Sequence, residues 1–186
     1  MKQLFKYLSF FIGFIVFSLF LGAISEGFKL INSVFQFLNG SVHFENNSPV
    51  FRLFLESTTV YPNIFLEVIF RVIRLSTMTY LLLKFLSFKS IIPDLKNKVF
   101  FTSKNYKASK QLGKAIIIFS ILISLVNITN STTKSNQGDM LTSMAVAIGE
   151  SIGSKLFLIL MGLLLIIIAK LINEALELKQ ENDLTI

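Results

Sequence analysis

The chain contains no cysteine, no tryptophan and a single histidine, His43. The absence of cysteine excludes disulfide bonds, thiolate nucleophiles and Cys-ligated metals. Because the only histidine lies in a polar segment, imidazole-based metal sites are close to excluded as well. Gly-rich phosphate loops and the HExxH and GxSxG motifs are also missing. We therefore predict no cofactor, no metal and no enzymatic activity.

Charge is scarce within four long apolar stretches. Hydrophobic residues make up 53% of the chain, whereas about 45–50% is usual for soluble domains even with glycine counted. The formal net charge of +7 could indicate nucleic acid binding, but the charge is divided among the flanks of the apolar stretches. We interpret it as a topology signal and expect no direct nucleic acid binding.

The apolar stretches predict an all-α integral membrane protein that forms one four-helix transmembrane domain over residues 1–186. A hydrocarbon core of about 30 Å requires about 20 helical residues, so the last two spans must include polar flanks. The predicted elements are span 1 at residues 5–25, span 2 at 62–87, a connector at 88–112, span 3 at 113–130, span 4 at 153–173 and a tail at 174–186.

Span 1 also has features of a secretory signal peptide. Lys2 and Lys6 precede its apolar run, and the small residues Gly22 and Ala23 lie near a candidate cleavage point. The run of about 18 residues exceeds the usual length of about 7–15, and three further spans follow. We therefore favour an uncleaved first helix.

The distribution of basic residues predicts the orientation. Twelve lysines lie at the N-terminus, in and beside the connector and in the tail, against four lysines or arginines on the opposite side. Since basic loops stay in the cytoplasm, both termini and the connector are expected on the cytoplasmic side of the membrane.

The loop after span 1 has helical periodicity. Its apolar residues predict an amphipathic helix lying on the outer membrane interface. A continuation of span 1 that packs on neighbouring helices is an equally good interpretation. The residues of the apolar face are Phe28, Ile31, Val34, Phe35 and Leu38.

The connector contains a helix start. Thr102 has the residue type and position of an N-cap, so a helix is predicted to begin near Ser103 and to run unbroken into span 3. Span 4 is likewise expected to become helical before its apolar core. There Ala145, Gly149 and Gly153 form a small-residue ladder that lets two helices approach closely and permits homo-oligomers.

The basic connector and the acidic tail are predicted to share the cytoplasmic side. We expect the tail to fold back onto the connector or to compete with a partner for it. A solvated helix face is favoured over metal binding for the tail acids. The predicted cytoplasmic docking surface comprises Thr102, Lys104, Asn105, Lys107, Lys110, Glu177, Glu181 and Asp183.

Span 2 carries a polar stripe. Asn63, Glu67, Arg71 and Arg74 fall on one helical face, with the acid and the first arginine at ion-pair spacing. Because an unpaired charge costs at least about 2.5–3.5 kcal/mol at the bilayer centre, this face should point into the protein. A second polar face in span 3 offers a partner, formed by Ser120, Ser124 and Asn127.

We predict that these two faces meet, with Asn127 at the depth of Glu67 and Arg71, and Ser120 nearer Arg74. One interpretation is a cavity for a small molecule or anion, with the two arginines as its positive charges. The other is a structural network that fixes helix register. The structural interpretation is favoured, since only one acid is present and neither histidine nor aspartate accompanies it.

Two segments resemble the bacterial membrane family called domain of unknown function 2975. The first runs from Asp94 to Asn105 and continues with Leu112 and Gly113, and contains a Phe-Thr pair with an asparagine three residues after the threonine. The second is the closing Glu177–Ile186 segment, which resembles the family's Glu/Gln-rich C-terminal helix ending in Asp-Leu-Thr-Val.

The resemblance implies four transmembrane helices with cytoplasmic termini, and it supplies no catalytic residue. Family members are often encoded beside a small helix-turn-helix regulator, which suggests a membrane partner for a transcription factor. We therefore expect a non-enzymatic protein of the lipid bilayer that docks such a cytoplasmic regulator. The alternative is a carrier, immunity or sensor protein that binds a small molecule or peptide at the span 2 stripe and outer loop.

Overall fold

The computed structural model describes residues 2–39, 64–97, 99–134 and 140–184, and every regular element among them is a helix. The elements are α1 at Lys2–Asn39, α2 at Ile64–Lys89, α3 at Ile92–Lys96, α4 at Ser103–Lys134 and α5 at Met140–Leu184. The predicted all-helical class is therefore confirmed for the described residues.

Helix α4 begins where its capping residue predicts. The Asn105 amide donates to Thr102 Oγ1 at 3.1 Å, and the Tyr106 amide donates to the Thr102 carbonyl oxygen at 3.1 Å. These bonds satisfy donors that the first helical turn would otherwise leave unpaired. The predicted start at Ser103 and the unbroken run into span 3 are both confirmed.

Two helices are longer than the spans assigned from the sequence. Residues 26–39 continue α1 without a break, which is the second of the two interpretations of the loop after span 1. Helix α5 begins at Met140, well before its apolar core, and extends through the tail to Leu184.

Within the part of the chain that the structure describes, three helical segments are long and apolar enough to cross a membrane, at Phe5–Leu38, Ser103–Asn130 and Met144–Asn182. Helix α2 has 26 residues, but five of them are charged. Length and composition therefore do not identify α2 as a membrane span, although the sequence pattern predicts it as the second of four.

The described residues expose apolar side chains and bury polar ones. Phe10 and Phe157 are 76% and 68% exposed, whereas Glu67 and Arg71 are 7% and 3% exposed. Soluble proteins rarely display contiguous apolar surface on this scale. The arrangement is typical of helices whose outer faces contact lipid.

The chain divides into two compact units, and each long helix contributes to both. The first unit comprises residues 1–19, 80–120 and 156–186, and the second comprises residues 20–79 and 121–155. The first has a buried cluster of Leu81, Leu112, Ala115 and Ile116. The second has a smaller cluster around Phe70 and Val126.

In the first unit α4 and α5 approach backbone to backbone at two buried glycines. A Cβ added to Gly113 would lie 2.6 Å from the Gly162 carbonyl oxygen, and one added to Gly162 would lie 2.8 Å from the Gly113 carbonyl oxygen. Only glycine permits this contact, and close helix packing of this kind stabilises membrane helix pairs.

The predicted ladder on α5 makes no comparable contact. A Cβ added to Gly149 or Gly153 meets no atom of the described residues within 4 Å. Among the described residues, the close approach between α4 and α5 occurs at Gly113 and Gly162. A cluster that includes Leu112 and Ile116 of α4 and Leu158 and Leu165 of α5 packs in the same unit.

We expect Gly113→Ala and Gly162→Ala each to destabilise the protein by about 1–3 kcal/mol, since the new methyl group overlaps backbone atoms of the facing helix. Thermal unfolding in mild detergent measures the effect. Gly149→Ala is the matched control on α5, and it should be neutral or slightly stabilising because alanine favours a helix. Equal stability of all three variants would contradict the glycine contact.

Candidate functional site

The second unit contains a buried ion pair on α2. Arg71 Nε and Nη2 donate to Glu67 Oε1 at 2.8 and 2.7 Å, and the side chains are only 4% and 9% exposed. The two residues are four apart and therefore neighbours on one helical face. The geometry places two donors of one guanidinium on a single carboxylate oxygen.

Helix α1 surrounds this ion pair with further polar groups. Ser33 Oγ donates to Glu67 Oε1 at 2.9 Å. Glu26 Oε2 lies 3.9 Å from Arg71 Nη1, and Lys29 Nζ lies 3.3 Å from Glu26 Oε1. These five residues form what we call the charge network, which contains two acids and two bases and is formally neutral.

The partner of the span 2 stripe was only partly predicted. Glu67 and Arg71 contact α1, whereas helical periodicity predicts that Asn127 of span 3 lies at the depth of these two residues in the membrane. The missed residues are Glu26, Lys29 and Ser33, whose spacing of three and four does put them on one face of a continuous α1. This polar face is not apparent from the sequence when span 1 is predicted to end at residue 25, because Glu26, Lys29 and Ser33 then fall in a loop.

Burial of this network has a simple energetic requirement. Moving an ion from water to a low-dielectric interior costs several kcal/mol after relaxation, so isolated charges are not tolerated there. Arg71 has carboxylates on two sides, and Glu67 accepts from both an arginine and a serine. The contacts fit a structural role that fixes α1 against α2.

Arg74 is the member of the stripe that does face span 3. Its Nη2 donates to Asn127 Oδ1 at 3.0 Å. Ser124 Oγ donates to the Ser151 carbonyl oxygen of α5 at 3.4 Å. Ser120 is fully buried, and its hydroxyl donates to the Ile116 carbonyl oxygen of its own helix at 2.8 Å. Asn63 lies outside the described residues.

A polar cavity of about 450 Å³ lies beside Arg74. The Arg74 guanidinium is bound by an amide oxygen, and it forms no ion pair within the described part of the chain. Its Nε is buried without a hydrogen-bond partner. The cavity therefore contains one cation, Arg74, and one acid, Glu150, which form no ion pair with each other in the described residues. The polar lining residues are Arg74, Asn127, Asn130, Glu150, Ser151 and Ser154.

The connector, in the first unit, is built around one buried asparagine. Asn105 is 0% exposed, and its Nδ2 donates to the Val99 and Phe100 carbonyl oxygens at 2.9 and 3.0 Å. These bonds hold an irregular segment whose side chains point outward. Val99, Phe100 and Phe101 are 48%, 39% and 52% exposed. We call these three residues the apolar tip.

Three lysines follow the apolar tip in the sequence, and each has a different environment. Lys104 Nζ donates to Asp94 Oδ2 at 3.0 Å and to the Ser90 carbonyl oxygen at 3.2 Å. Lys110 Nζ donates to Tyr106 Oη at 2.6 Å. Lys107 is exposed. Together they make the connector a basic surface with an apolar centre.

The tail acids lie along the end of α5. Glu177 accepts from Asn173 Nδ2 at 2.6 Å, and Glu174 lies 3.6 Å from Lys170, so these contacts stay within the helix. Glu181 is exposed, and the side chain of Asp183 lies outside the described residues. No group of three or more metal-ligating side chains occurs in the described ranges.

We expect Glu67→Gln or Arg71→Gln to destabilise the protein by about 3 kcal/mol, since each leaves a buried charge without its partner. The double variant should recover part of this loss, which a double-mutant cycle of thermal unfolding in detergent measures. The control is the exposed Lys170–Glu174 pair of the same spacing, where coupling should stay below about 0.5 kcal/mol. Similar coupling at both pairs would contradict a structural network.

Comparison with known proteins identifies the family. No curated protein and no solved structure matches the chain. A family model described as "Protein of unknown function (DUF2975)" matches residues 57–186, more than two thirds of the sequence. The matched range includes α2, the capped connector and α5, while Glu26, Lys29 and Ser33 precede it. The chain belongs to the DUF2975 family, as the connector and tail motifs predicted.

Proposed function

We propose that this protein is a non-enzymatic, four-span protein of the bacterial inner membrane that docks a cytoplasmic protein. Both termini and the connector face the cytoplasm. The favoured partner is a small helix-turn-helix regulator, which the protein would hold at the membrane. DNA contact would belong to that partner.

The charge network supports α2 as a membrane span in addition to the three helices that are apolar enough to cross a membrane. A charge exposed to lipid at the bilayer centre opposes insertion, but Glu67 and Arg71 satisfy each other inside protein contacts. Arg74 faces an amide and a polar cavity. Neighbouring helices therefore shield Glu67, Arg71 and Arg74, three of the charges that make α2 less apolar than the other long helices. The excess of lysine on one side of the predicted spans supports the proposed orientation.

The apolar tip is the observation that carries the docking proposal. Its backbone is fixed in place by Asn105 and by the Thr102 cap, so little conformational entropy is lost when a partner binds. Exposed aromatic residues in a segment rich in lysine resemble the apolar centre and polar rim of a protein interface. The complementary partner carries an apolar groove bordered by acids.

The cavity beside Arg74 supports a second candidate function, small-ligand sensing. Its volume of about 450 Å³ falls in the range of about 300–1,000 Å³ usual for ligand pockets. Arg74 can donate to an anionic group of a ligand, and Glu150 in the same lining can accept from a donor group of that ligand. Arg71 is excluded from this role because Glu67 and Glu26 already neutralise it.

The absence of cysteine gives a direct test of topology. In intact spheroplasts a membrane-impermeant maleimide should label Thr142→Cys at the start of α5, because this position faces outward. It should label Lys107→Cys only after the membrane is opened. The unsubstituted chain is the blank, since it contains no thiol. Labelling of Lys107→Cys in intact spheroplasts would invert the orientation.

Docking is tested by co-expression with the product of a neighbouring helix-turn-helix gene, followed by membrane fractionation. We expect the regulator to sediment with membranes containing the full chain and to become soluble with Phe100→Ser/Phe101→Ser, because the apolar tip is lost. Removal of Gln180–Ile186 tests the tail in the same assay.

Two controls make the docking result decisive. Lys155→Gln lies on the opposite side and should leave sedimentation unchanged. Arg74→Gln should also leave it unchanged if docking is independent of the cavity, whereas loss of docking with this variant would favour ligand sensing. Unaltered sedimentation with the apolar tip variant, at equal expression, would refute docking through the connector.

A further inference from the structure

A second cavity, of about 670 Å³, lies in the first unit between the first turns of α1 and helix α3. Helix α1 contributes Lys6 and Ser9 together with two phenylalanines, and α3 contributes Pro93 and Lys96. The lining therefore combines two lysines and a serine with apolar side chains. No carboxylate is among the described residues that line it.

The two lysines of this cavity have no anionic partner. Lys6 and Lys96 are exposed, and neither forms an ion pair within the described residues. They come from segments about 90 positions apart in the sequence. The fold thus places two ammonium groups at one cavity. An anion bound between them would reduce their electrostatic repulsion.

The apolar side of the cavity continues along α1. Phe10, Phe14 and Phe17 are 76%, 62% and 58% exposed, and their spacing of four and three residues aligns them on one helical face. This stripe begins at the cavity and runs into the uncharged part of α1, which extends from residue 7 to residue 25. A ligand with a charged head and a long apolar tail would contact both features.

We propose that this cavity binds the headgroup of an anionic phospholipid, with its phosphate at Lys6 and Lys96 and its acyl chains along the phenylalanine stripe. The inference rests on the cytoplasmic placement of the connector in the proposed function. Lys6 lies at the end of the apolar run, which is the depth of the headgroup layer. Basic pockets between membrane helices on the cytoplasmic side recognise such lipids.

The test uses the full chain in nanodiscs made of phosphatidylethanolamine with a minor fraction of phosphatidylglycerol. Native mass spectrometry of the released protein counts retained lipids of each class. We expect phosphatidylglycerol to be enriched on the protein, with about a fivefold loss of enrichment for Lys6→Gln or Lys96→Gln and about a thirtyfold loss for the double variant.

Control variants distinguish lipid binding in the cavity from general attraction of anionic lipid to a basic surface. Lys107→Gln and Lys170→Gln remove the same charge elsewhere on the first unit and should keep most of the enrichment. Ser9→Phe fills the cavity without a change of charge and should abolish the enrichment of phosphatidylglycerol. Equal losses for all lysine variants, with Ser9→Phe unaffected, would overturn the cavity in favour of diffuse attraction.

Inorganic phosphate distinguishes a lipid site from a simple anion site. Displacement of the lipid by millimolar phosphate would overturn the lipid assignment, and persistence of the lipid would support it. The result is also independent of the docking experiment. If the unsubstituted chain docks the regulator but shows no enrichment of phosphatidylglycerol, this inference alone is rejected. If it shows the enrichment but does not dock the regulator, docking alone is rejected.

Discussion

The buried Glu67–Arg71 ion pair is the constraint on which the second unit depends. The helices expose phenylalanine and leucine on their outer faces, so charged residues must be neutralised inside the protein. One arginine donates twice to one carboxylate at 2.7 and 2.8 Å, and α1 supplies a serine and a second acid. Because a buried charge without a partner is unfavourable by several kcal/mol, this set of contacts specifies which faces of α1 and α2 meet.

The first unit is held by a different kind of contact. Gly113 and Gly162 let α4 and α5 touch along their backbones, beside a cluster of leucine, isoleucine and alanine. Dispersion and close packing stabilise such a crossing, because the two backbones come into direct contact. The long helices contribute residues to both units. The first unit contains the close glycine contact between α4 and α5, and the second contains the buried ion pair.

The connector explains why the family motif has its residue types. Thr102 caps α4, and the asparagine three positions later is buried and binds the two preceding carbonyl oxygens. One short motif therefore starts a helix and also fixes the irregular segment before it. The outcome is a basic surface with an exposed apolar tip.

The sequence by itself determined the helical class, the start of α4 at Thr102, the family and the ion-pair spacing of Glu67 and Arg71, because each depends on neighbours within a few positions. Only the tertiary structure decided that α1 rather than span 3 receives that pair, that Asn127 contacts Arg74, and that Gly113 and Gly162 form the close crossing. Helical periodicity shows which residues share a face, but it does not show which helix that face meets. That choice depends on packing between segments distant in the chain, which no local pattern encodes.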